Sequence, residues 1–307
     1  SRGLGDVYKR QEEIGLCVAG QTGELAPADK ALYSLRDATS TVESIPLIAS
    51  SIMSKKLAAG AQCIVLDVKC GSGAFMKTEE QARQLAQEMV RIGRGAGRRV
   101  SALITNMDIP LGYAIGNALE VIEAAEILRG RGDQALTRLC VALSAQMMAL
   151  SAQGSIAFYE KKAEAALQDG SAFQKLRELV RAQGGDDSVL EHPERFPQAK
   201  VKMPVLSPES GFIIHMDAEL IGRAAMLLGA GRVEKEGAID PAAGIVLRKK
   251  TGDFVHRGET VAQLFTNLEA EGQIAQAAAL FLTAIHFSQI QPVEEALIYN
   301  VIGENRE

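Results

Sequence analysis

Short apolar runs alternate with helical patterns along the middle of this chain of 307 residues. Residues 63–68 (CIVLDV) and 100–104 (VSALI) are nearly continuous apolar runs, which are typical of strands buried on both faces. An amphipathic helix is predicted between them at 78–93. Further helices are predicted at 118–128 and 135–150, and the last is apolar all round and therefore expected to be buried. This alternation predicts an α/β core.

The pattern changes between Glu191 and Ser210, a segment that holds four of the nine prolines together with many charges. We therefore place a domain boundary in this segment. Beyond it, residues 211–216 and 244–266 show β patterning punctuated by glycine, with Thr251-Gly252-Asp253 as a turn. Residues 218–228 are predicted to be helical between these two stretches.

Composition and charge exclude several classes of function. With 47% apolar and 23% charged residues, the chain has the composition of an ordinary soluble globular protein. A net charge of −5 offers no basic field for nucleic acid or an anionic membrane. No tryptophan and 5% aromatic residues argue against a stacking surface for single-stranded nucleic acid. We expect no apolar run that approaches a membrane span, and four scattered cysteines indicate reduced thiols in a cytoplasm.

One predicted helix carries polar groups that need a reason to be there. It runs from Ser44, a predicted N-cap, to about Ala59, with Pro46 in its first turn. Ser51 and Lys55 are four residues apart and therefore lie on one face of this helix, while Arg36 arrives from the preceding segment. These groups could grip one small polar ligand. The alternative is a solvated edge with ordinary surface charges.

Several long motifs carry a family resemblance. They are LYSLRDATSTVESIPLIASSIMSKKLAAG, IVLDVKCGSGAFMKT and PLGYAIGNALEV, with GQTGELAPADK upstream and AAMLLGAGR downstream. In their order and spacing the chain resembles the pyrimidine-nucleoside phosphorylases, close kin of thymidine phosphorylase, from about Gln11 onwards. The form PLGYAIGNALEV is similar to the bacterial pyrimidine-nucleoside type. The resemblance implies an α/β fold: a mixed-sheet core, part of a small helical lobe, and a C-terminal α+β domain with barrel-sandwich-like hairpins.

The resemblance also predicts the domain limits. We expect a non-native scar at 1–10, a remnant of the small helical lobe at 11–60, the α/β phosphorylase core at 61–198 and the C-terminal domain at 199–307. The scar (SRGLGDVYKR) matches nothing in the family. The family's phosphate-binding loop and active-site histidine would precede Gln11, so no residue of this chain is assigned to phosphate and impaired activity is expected.

The activity implied by the resemblance is phosphorolysis of uridine, thymidine or deoxyuridine to the free base and the pentose 1-phosphate. Arg36, Ser51 and Lys55 match the family's base-binding positions, and Tyr33 is interpreted as a wall of the same pocket. Asp67, at the carboxyl end of a predicted strand, is expected to pair with Lys55 or otherwise orient it. A structural ion pair is the alternative for Asp67.

A potassium ion is the implied cofactor, with inorganic phosphate as co-substrate. The backbone carbonyls of Leu111 and Ala114 and the carboxylate of Glu123 match the family's potassium ligands, and oxygen ligands suit a hard cation. Its other ligands would come from the upstream part, so we expect this site to be incomplete. The resemblance further implies a homodimer in the cytoplasm, with a pyrimidine nucleoside and phosphate as partners and neither nucleic acid nor membrane.

Other interpretations are weaker or stay open. The GSGAF turn at 71–75 lacks the third glycine of a dinucleotide-binding loop, where Met76 stands, and Lys249-Lys250 lacks the flanking residues of a biotinyl or lipoyl carrier. The four histidines are expected to be isolated from one another. Two alternative functions remain: a non-catalytic base-binding or dimerising fragment, and a phosphoribosyltransferase relative, which would need a diphosphate and Mg²⁺ site that the sequence does not display.

Overall fold

A computed structural model of the protein describes residues 4–18, 26–29, 44–152, 154–232 and 237–303. Tyr33 and Arg36 of the expected base site therefore lie outside the described residues. The α-helices are α1 (Leu4–Ile14), α2 (Ile45–Ala58), α3 (Glu79–Gly95), α4 (Asn117–Leu128), α5 (Gln134–Ala152), α6 (Ile156–Gln168), α7 (Ser171–Ala182), α8 (Ala218–Ala225) and α9 (Glu271–Thr283). The strands are β1 (Cys63–Cys70), β2 (Arg99–Asn106), β3 (Ala114–Ile115), β4 (Val201–Leu206), β5 (Gly211–Met216), β6 (Gly244–Leu247), β7 (Phe254–Val255), β8 (Thr260–Thr266), β9 (Ile285–Ser288) and β10 (Ile298–Gly303).

The core sheet has the strand order β1-β2-β10. β1 and β2 are parallel, with Cys63 opposite Arg99, and α3 is the crossover helix between them. β10 returns to pair antiparallel with β2, so the sheet is mixed, as expected. Residues 298–303 therefore belong to the core sheet. This corrects our expectation that the whole of 199–307 forms the C-terminal domain.

The two parallel strands differ in burial. All residues of β2 after Arg99 are buried, as the sequence predicted. In β1 only Ile64, Leu66, Val68 and Cys70 are buried, and the other face is partly exposed. The prediction of burial on both faces is therefore wrong for β1, which in the described part of the chain has a hydrogen-bonded neighbour strand on one side only.

Helices α2 and α3 cover one face of the core sheet, and their apolar side chains share one cluster with the buried side chains of β1. α3 begins with a capping box, in which the Thr78 hydroxyl accepts from the Gln81 N–H and the Gln81 side chain accepts from the Thr78 N–H. α2 begins after Ser44 with Pro46 in its first turn, as predicted, although the Ser44 side chain makes no capping hydrogen bond.

Helix α5 packs against the opposite face of β1 and β2 and alongside α6. Its buried residues are Leu139, Val141, Ala145 and Leu150, whereas Met147 is 50% exposed, so the prediction of burial all round is wrong. By length and composition alone, this 19-residue helix could cross a membrane, contrary to the expectation that no apolar run approaches that length. A single such helix is weak evidence for a span, because core helices of soluble proteins pass the same test.

Two antiparallel sheets, with orders β3-β6-β8-β4 and β7-β5-β9, are built from strands of the C-terminal domain together with β3, which comes from the core range 61–198. Their side chains and those of α8 and α9 form one apolar cluster, in which Phe281, Ile213 and Ile245 are fully buried. The predicted turn at 251–253 is confirmed, since Gly252 has φ +97° and the Asp253 N–H donates to the Lys250 carbonyl over 3.1 Å.

The proline-rich segment is only partly irregular. Residues 191–200 contain one short 3₁₀ turn, Pro193–Arg195, and most of them are exposed. Residues 201–206, however, form β4, which pairs with β8. Pro204 is accommodated because β4 is at the edge of its sheet, where a missing N–H breaks no ladder on the open side.

Candidate functional site

The polar face of α2 forms a compact cluster. Because Ser51 and Lys55 are one helical turn apart, the Lys55 ammonium donates to the Ser51 hydroxyl over 3.0 Å. The same ammonium lies 3.0 Å from a carboxylate oxygen of Asp29, and the Lys55 and Asp29 side chains are each only 14% exposed. Ser51 itself is buried. The structure therefore brings together two of the three predicted base-binding residues, and the third, Arg36, lies outside the described residues.

Asp67 has different partners from the one expected. Its carboxylate lies 2.6 Å from the Lys69 ammonium and accepts a hydrogen bond of 2.5 Å from the hydroxyl of Thr105 on the neighbouring strand. The expected pairing with Lys55 is therefore wrong, and the alternative, a structural ion pair, is the one that the structure shows. Asp67 and Lys69 are two residues apart on β1 and share a face, so a local ion pair forms in preference to one with the helix.

A cleft of about 660 Å³ opens beside α2, and we call it the β1 cleft. Its walls are Ile48, Ile52 and Lys56 of α2, the last residues of β1, and the following loop. Asp67 and Lys69 line it, as expected of charged groups at the carboxyl end of a strand. Ser51 and Lys55 lie one position away around the helix and are not among its lining residues.

The loop after β1, Gly71–Met76, forms the floor of this cleft, and we call it the glycine loop. Gly71 has φ +126°, and a Cβ there would lie 2.4 Å from the backbone nitrogen of Asp108. Only glycine fits so close an approach. The tight turn predicted from GSGAF is present, and Phe75 within it is 60% exposed.

Two of the three residues predicted to bind potassium, Ala114 and Glu123, are in contact, but through the Ala114 N–H rather than its carbonyl. The Glu123 carboxylate accepts hydrogen bonds from the backbone N–H groups of Tyr113 (2.6 Å) and Ala114 (3.3 Å), which holds α4 against the loop that begins near Leu111. Burial raises the pKa of Glu123 above its ordinary value, partly offset by these two hydrogen bonds. In the described residues, no group of three or more His, Cys, Asp and Glu side chains could hold a metal ion. Any cation here would therefore depend on backbone oxygens together with Glu123.

Two histidines are not isolated, contrary to the expectation. β5 pairs antiparallel with β9, which places His215 opposite His286 with ring centroids 5.7 Å apart. His215 Nδ1 also lies 3.7 Å from a carboxylate oxygen of Asp108. This arrangement depends on a pairing between strands far apart in sequence, which the isolated histidines could not reveal.

Sequence reasoning missed Asp29 as the partner of Lys55. The residue stands in the motif GQTGELAPADK, which contributed to the family resemblance, but no role was assigned to it. The available signal was an acidic residue in the segment that precedes α2. From the sequence alone, Asp29 and Asp67 were equally suitable partners for Lys55, and only the packing of the chain decides between them.

Two family models match this chain. The model described as glycosyl transferase family, a/b domain, matches residues 5–173, and the model described as pyrimidine nucleoside phosphorylase C-terminal domain matches residues 212–287. Together they cover most of the core and most of the C-terminal domain.

Curated relatives described as pyrimidine-nucleoside phosphorylase are similar over most of the chain. The protein of Bacillus subtilis (strain 168) is 52% identical over 255 residues, which are 83% of this chain and 59% of the relative. The protein of Geobacillus stearothermophilus is 50% identical over 85% of this chain and 60% of its own length. The protein of Staphylococcus aureus (strain USA300) is 47% identical over 96% of this chain and 68% of the relative. The chain thus spans about three fifths of the first two relatives.

Proposed function

This chain belongs to the pyrimidine-nucleoside phosphorylase family, and from that premise we propose that the protein acts in the phosphorolysis of pyrimidine nucleosides such as uridine, thymidine and deoxyuridine. In this reaction inorganic phosphate attacks the sugar carbon, the N-glycosidic bond breaks, and the products are the free base and the pentose 1-phosphate. The observation that carries the proposal is the largely buried cluster formed by Ser51 and Lys55 of α2 with Asp29 of the preceding segment.

Within the described residues, the hydrogen bonds of this cluster leave donors for a ligand. A lysine ammonium has three N–H groups, and Lys55 uses two of them on Ser51 and Asp29. The Ser51 hydroxyl accepts from Lys55 and donates to no other described residue, so its O–H is also available. We assign these two donors to the oxygen-bearing edge of the pyrimidine, with Arg36 as the third donor.

These donors would bind the neutral base and would bind it more strongly in the transition state. As the glycosidic bond breaks, negative charge develops on the base while the sugar becomes oxocarbenium-like. Cationic and hydroxyl donors held in place before the reaction stabilise that charge without reorganising. A donor that bonds more strongly to the developing charge than to the neutral base raises the rate more than the affinity. Asp29 would orient the Lys55 ammonium in this scheme.

The β1 cleft supports the proposal by its position and size. Open α/β sheets bind ligands outside the carboxyl ends of their strands, where this cleft lies. Its volume of about 660 Å³ is within the range of small-molecule sites, about 300–1,000 Å³. We propose that it holds part of the nucleoside next to the base-binding face of α2.

We further propose that Leu111, Ala114 and Glu123 contribute to a potassium site. The chemistry of the donor set fits, because a half-buried carboxylate lies against a loop whose carbonyl oxygens suit a hard cation. Bound there, the cation would fix the loop against α4. Its contribution is structural, and no step of the reaction passes through it.

A homodimer in the cytoplasm completes the proposal. The four cysteines are all free, which agrees with a reducing compartment. Analytical ultracentrifugation of the full chain at several concentrations would test the oligomeric state, and a concentration-independent monomer would contradict the dimer.

The experiment that tests the function measures base binding and turnover separately. Uracil binding to the full chain is measured by calorimetry, and uracil release from uridine is followed by chromatography with and without phosphate. Phosphate-dependent release supports the phosphorylase. Binding without release fits the alternative, a base-binding fragment, and equally the impaired phosphorylase that the sequence predicts. No binding and no release would contradict both.

A further inference from the structure

The glycine loop is fastened to two other parts of the molecule. On one side its backbone abuts the segment that follows β2, where the Gly73 N–H donates to the Met107 carbonyl over 2.9 Å. On the other side it meets the start of α8, because a Cβ on Gly73 would lie 2.9 Å from the Cβ of Ala218. The floor of the β1 cleft is therefore pressed between the core sheet and the C-terminal domain.

Hydrogen bonds of Ser72 connect the glycine loop to Asp108 and to α8, and we call this set of contacts the joint. The Ser72 N–H donates to a carboxylate oxygen of Asp108 over 2.8 Å, and the Ser72 hydroxyl donates to the Asp108 carbonyl over 2.8 Å. The same hydroxyl accepts from the backbone N–H of Ala218 at the start of α8, over 3.1 Å. A single side chain thus links the cleft floor, the end of β2 and the C-terminal domain.

Further contacts hold Asp108 and the loop in place. The Asp108 N–H donates to the side chain of Asn106, which is itself 4% exposed. Lys77, just after the loop, donates to the Ser72 carbonyl over 2.7 Å and pairs with Glu219 of α8 over 3.1 Å. Because the Asp108 backbone is fixed by its hydrogen bond to Asn106, the Asp108 carboxylate is a fixed acceptor for the Ser72 N–H of the loop.

We propose that Asp108 is a positioning residue for the ligand of the β1 cleft, acting through Ser72. It fixes the glycine loop in the shape that faces the ligand and couples that shape to the C-terminal domain. The inference rests on the proposed function, since it takes the cleft as part of the nucleoside site. Nothing in it requires Asp108 to touch the substrate.

The first test measures the loop without any ligand. Hydrogen exchange of the full chain is followed by mass spectrometry in the wild type, Asp108→Ala, Asp108→Asn and Ser72→Ala. The matched control is Glu164→Ala, which removes an exposed carboxylate of α6. We expect Asp108→Ala to speed exchange across residues 71–77 by about tenfold or more, and the control to leave it unchanged. Asp108→Asn retains an oxygen that can accept from the Ser72 N–H and should restore most of the protection.

Two exchange results would overturn the proposal. One is a loop that exchanges in Asp108→Ala as it does in the wild type. The other is faster exchange spread evenly over β1 and β2, which would mean general destabilisation of the core. If Asp108→Ala does not fold, Ser72→Ala decides, because it removes the hydroxyl links to Asp108 and Ala218 while keeping the Ser72 N–H. Its loop should then exchange faster than the wild-type loop, and an unchanged rate contradicts the joint.

The second test measures the uridine affinity of the same variants by calorimetry, because the cleft is proposed to hold part of the nucleoside beside the base. Asp108→Ala should weaken uridine binding by about fivefold or more, and Asp108→Asn should recover most of that loss. A loosened loop with unchanged affinity would mean that the joint is structural only, and would overturn the positioning role. If the wild type itself binds no uridine, the proposed function fails and the positioning role with it. The exchange data would still show separately whether the joint exists.

Discussion

The Lys55 ammonium is paired with the Asp29 carboxylate at 3.0 Å, in a place where each side chain is only 14% exposed. Lys55 belongs to α2, and Asp29 belongs to the short described stretch at 26–29. The pair therefore fixes the direction of the lysine from outside its own helix. Partly buried ion pairs of this kind are less screened by salt than surface pairs.

Replacing Lys55 should weaken base recognition more than folding. Lys55→Gln removes the charged donor, and a charge-assisted hydrogen bond contributes about 1.5–3 kcal/mol, so uracil affinity should fall by about ten- to a hundredfold. Calorimetry measures the affinity, and Lys161→Gln on the exposed surface of α6 is the matched control. An effect below about threefold would contradict a base-binding role for Lys55.

The ion pair itself can be tested by a double-mutant cycle. Asp29→Asn and Lys55→Met should each destabilise the fold, because each removes one member of a charge pair in a poorly solvated place. The double variant should be less destabilised than the sum of the two, with a coupling energy of about 1–3 kcal/mol. Urea unfolding of the four proteins provides the free energies. If the two single-variant losses of unfolding free energy add up to that of the double variant, the Asp29–Lys55 contact has no coupling energy and does not stabilise the fold.

Glu123 should make stability depend on pH in a defined direction. Burial raises its pKa in the folded state, so its ionisation favours the unfolded chain. The stability it contributes is therefore fully present below its unfolded pKa, about 4.3, and is lost as pH rises through the higher folded value. Glu123→Gln should flatten this decline, and urea unfolding between about pH 4 and pH 7 measures it. Glu164→Gln should leave the wild-type slope in place.

Glu123→Gln also tests the proposed potassium site. A cation that binds only the folded state at Glu123 raises the melting temperature by an amount that grows with the logarithm of its concentration above its dissociation constant. Potassium chloride should therefore stabilise the wild type more than the same concentration of tetramethylammonium chloride does. Glu123→Gln should lose this difference while Glu164→Gln retains it. Equal effects of the two salts on the wild type would argue against a specific site.

Limited proteolysis should begin within residues 191–200. This stretch is mostly exposed and has one short 3₁₀ turn, whereas residues 201–206 are protected by pairing with β8. Mass spectrometry of the first fragments produced by trypsin would place the cut, with Arg195 as the expected site because the bond after Lys200 joins it to β4. Early cleavage inside β4 would mean that the boundary between core and C-terminal domain lies further along the chain.

Local signals predicted the elements of the core well. The helix after Ser44, the crossover helix after Thr78 and both parallel strands follow from apolar spacing and end signals that are complete within short stretches. The i, i+4 contact of Ser51 and Lys55 follows from helix geometry alone. These features depend only on neighbours in sequence.

The errors concern contacts between distant segments. The partner of Lys55 depends on where residues 26–29 lie, and the His215–His286 pair depends on the pairing of β5 with β9. The apolar sequence of α5 likewise indicates that its residues can be buried. It does not indicate how many of them are covered by other helices and strands. Such facts are settled by tertiary packing, which a single sequence does not display.

The Asp67–Lys69 pair has a consequence for solubility that is independent of any ligand. Strand β1 has an open edge in the described part of the chain, and an open edge presents unpaired N–H and C=O groups to any other extended chain. Apart from these two charges β1 is apolar, with the high β-propensity typical of aggregation-prone segments. The charges of Asp67 and Lys69 oppose the pairing of β1 with β1 of another molecule. The double variant Asp67→Val, Lys69→Val should therefore precipitate at concentrations where the wild type stays dissolved.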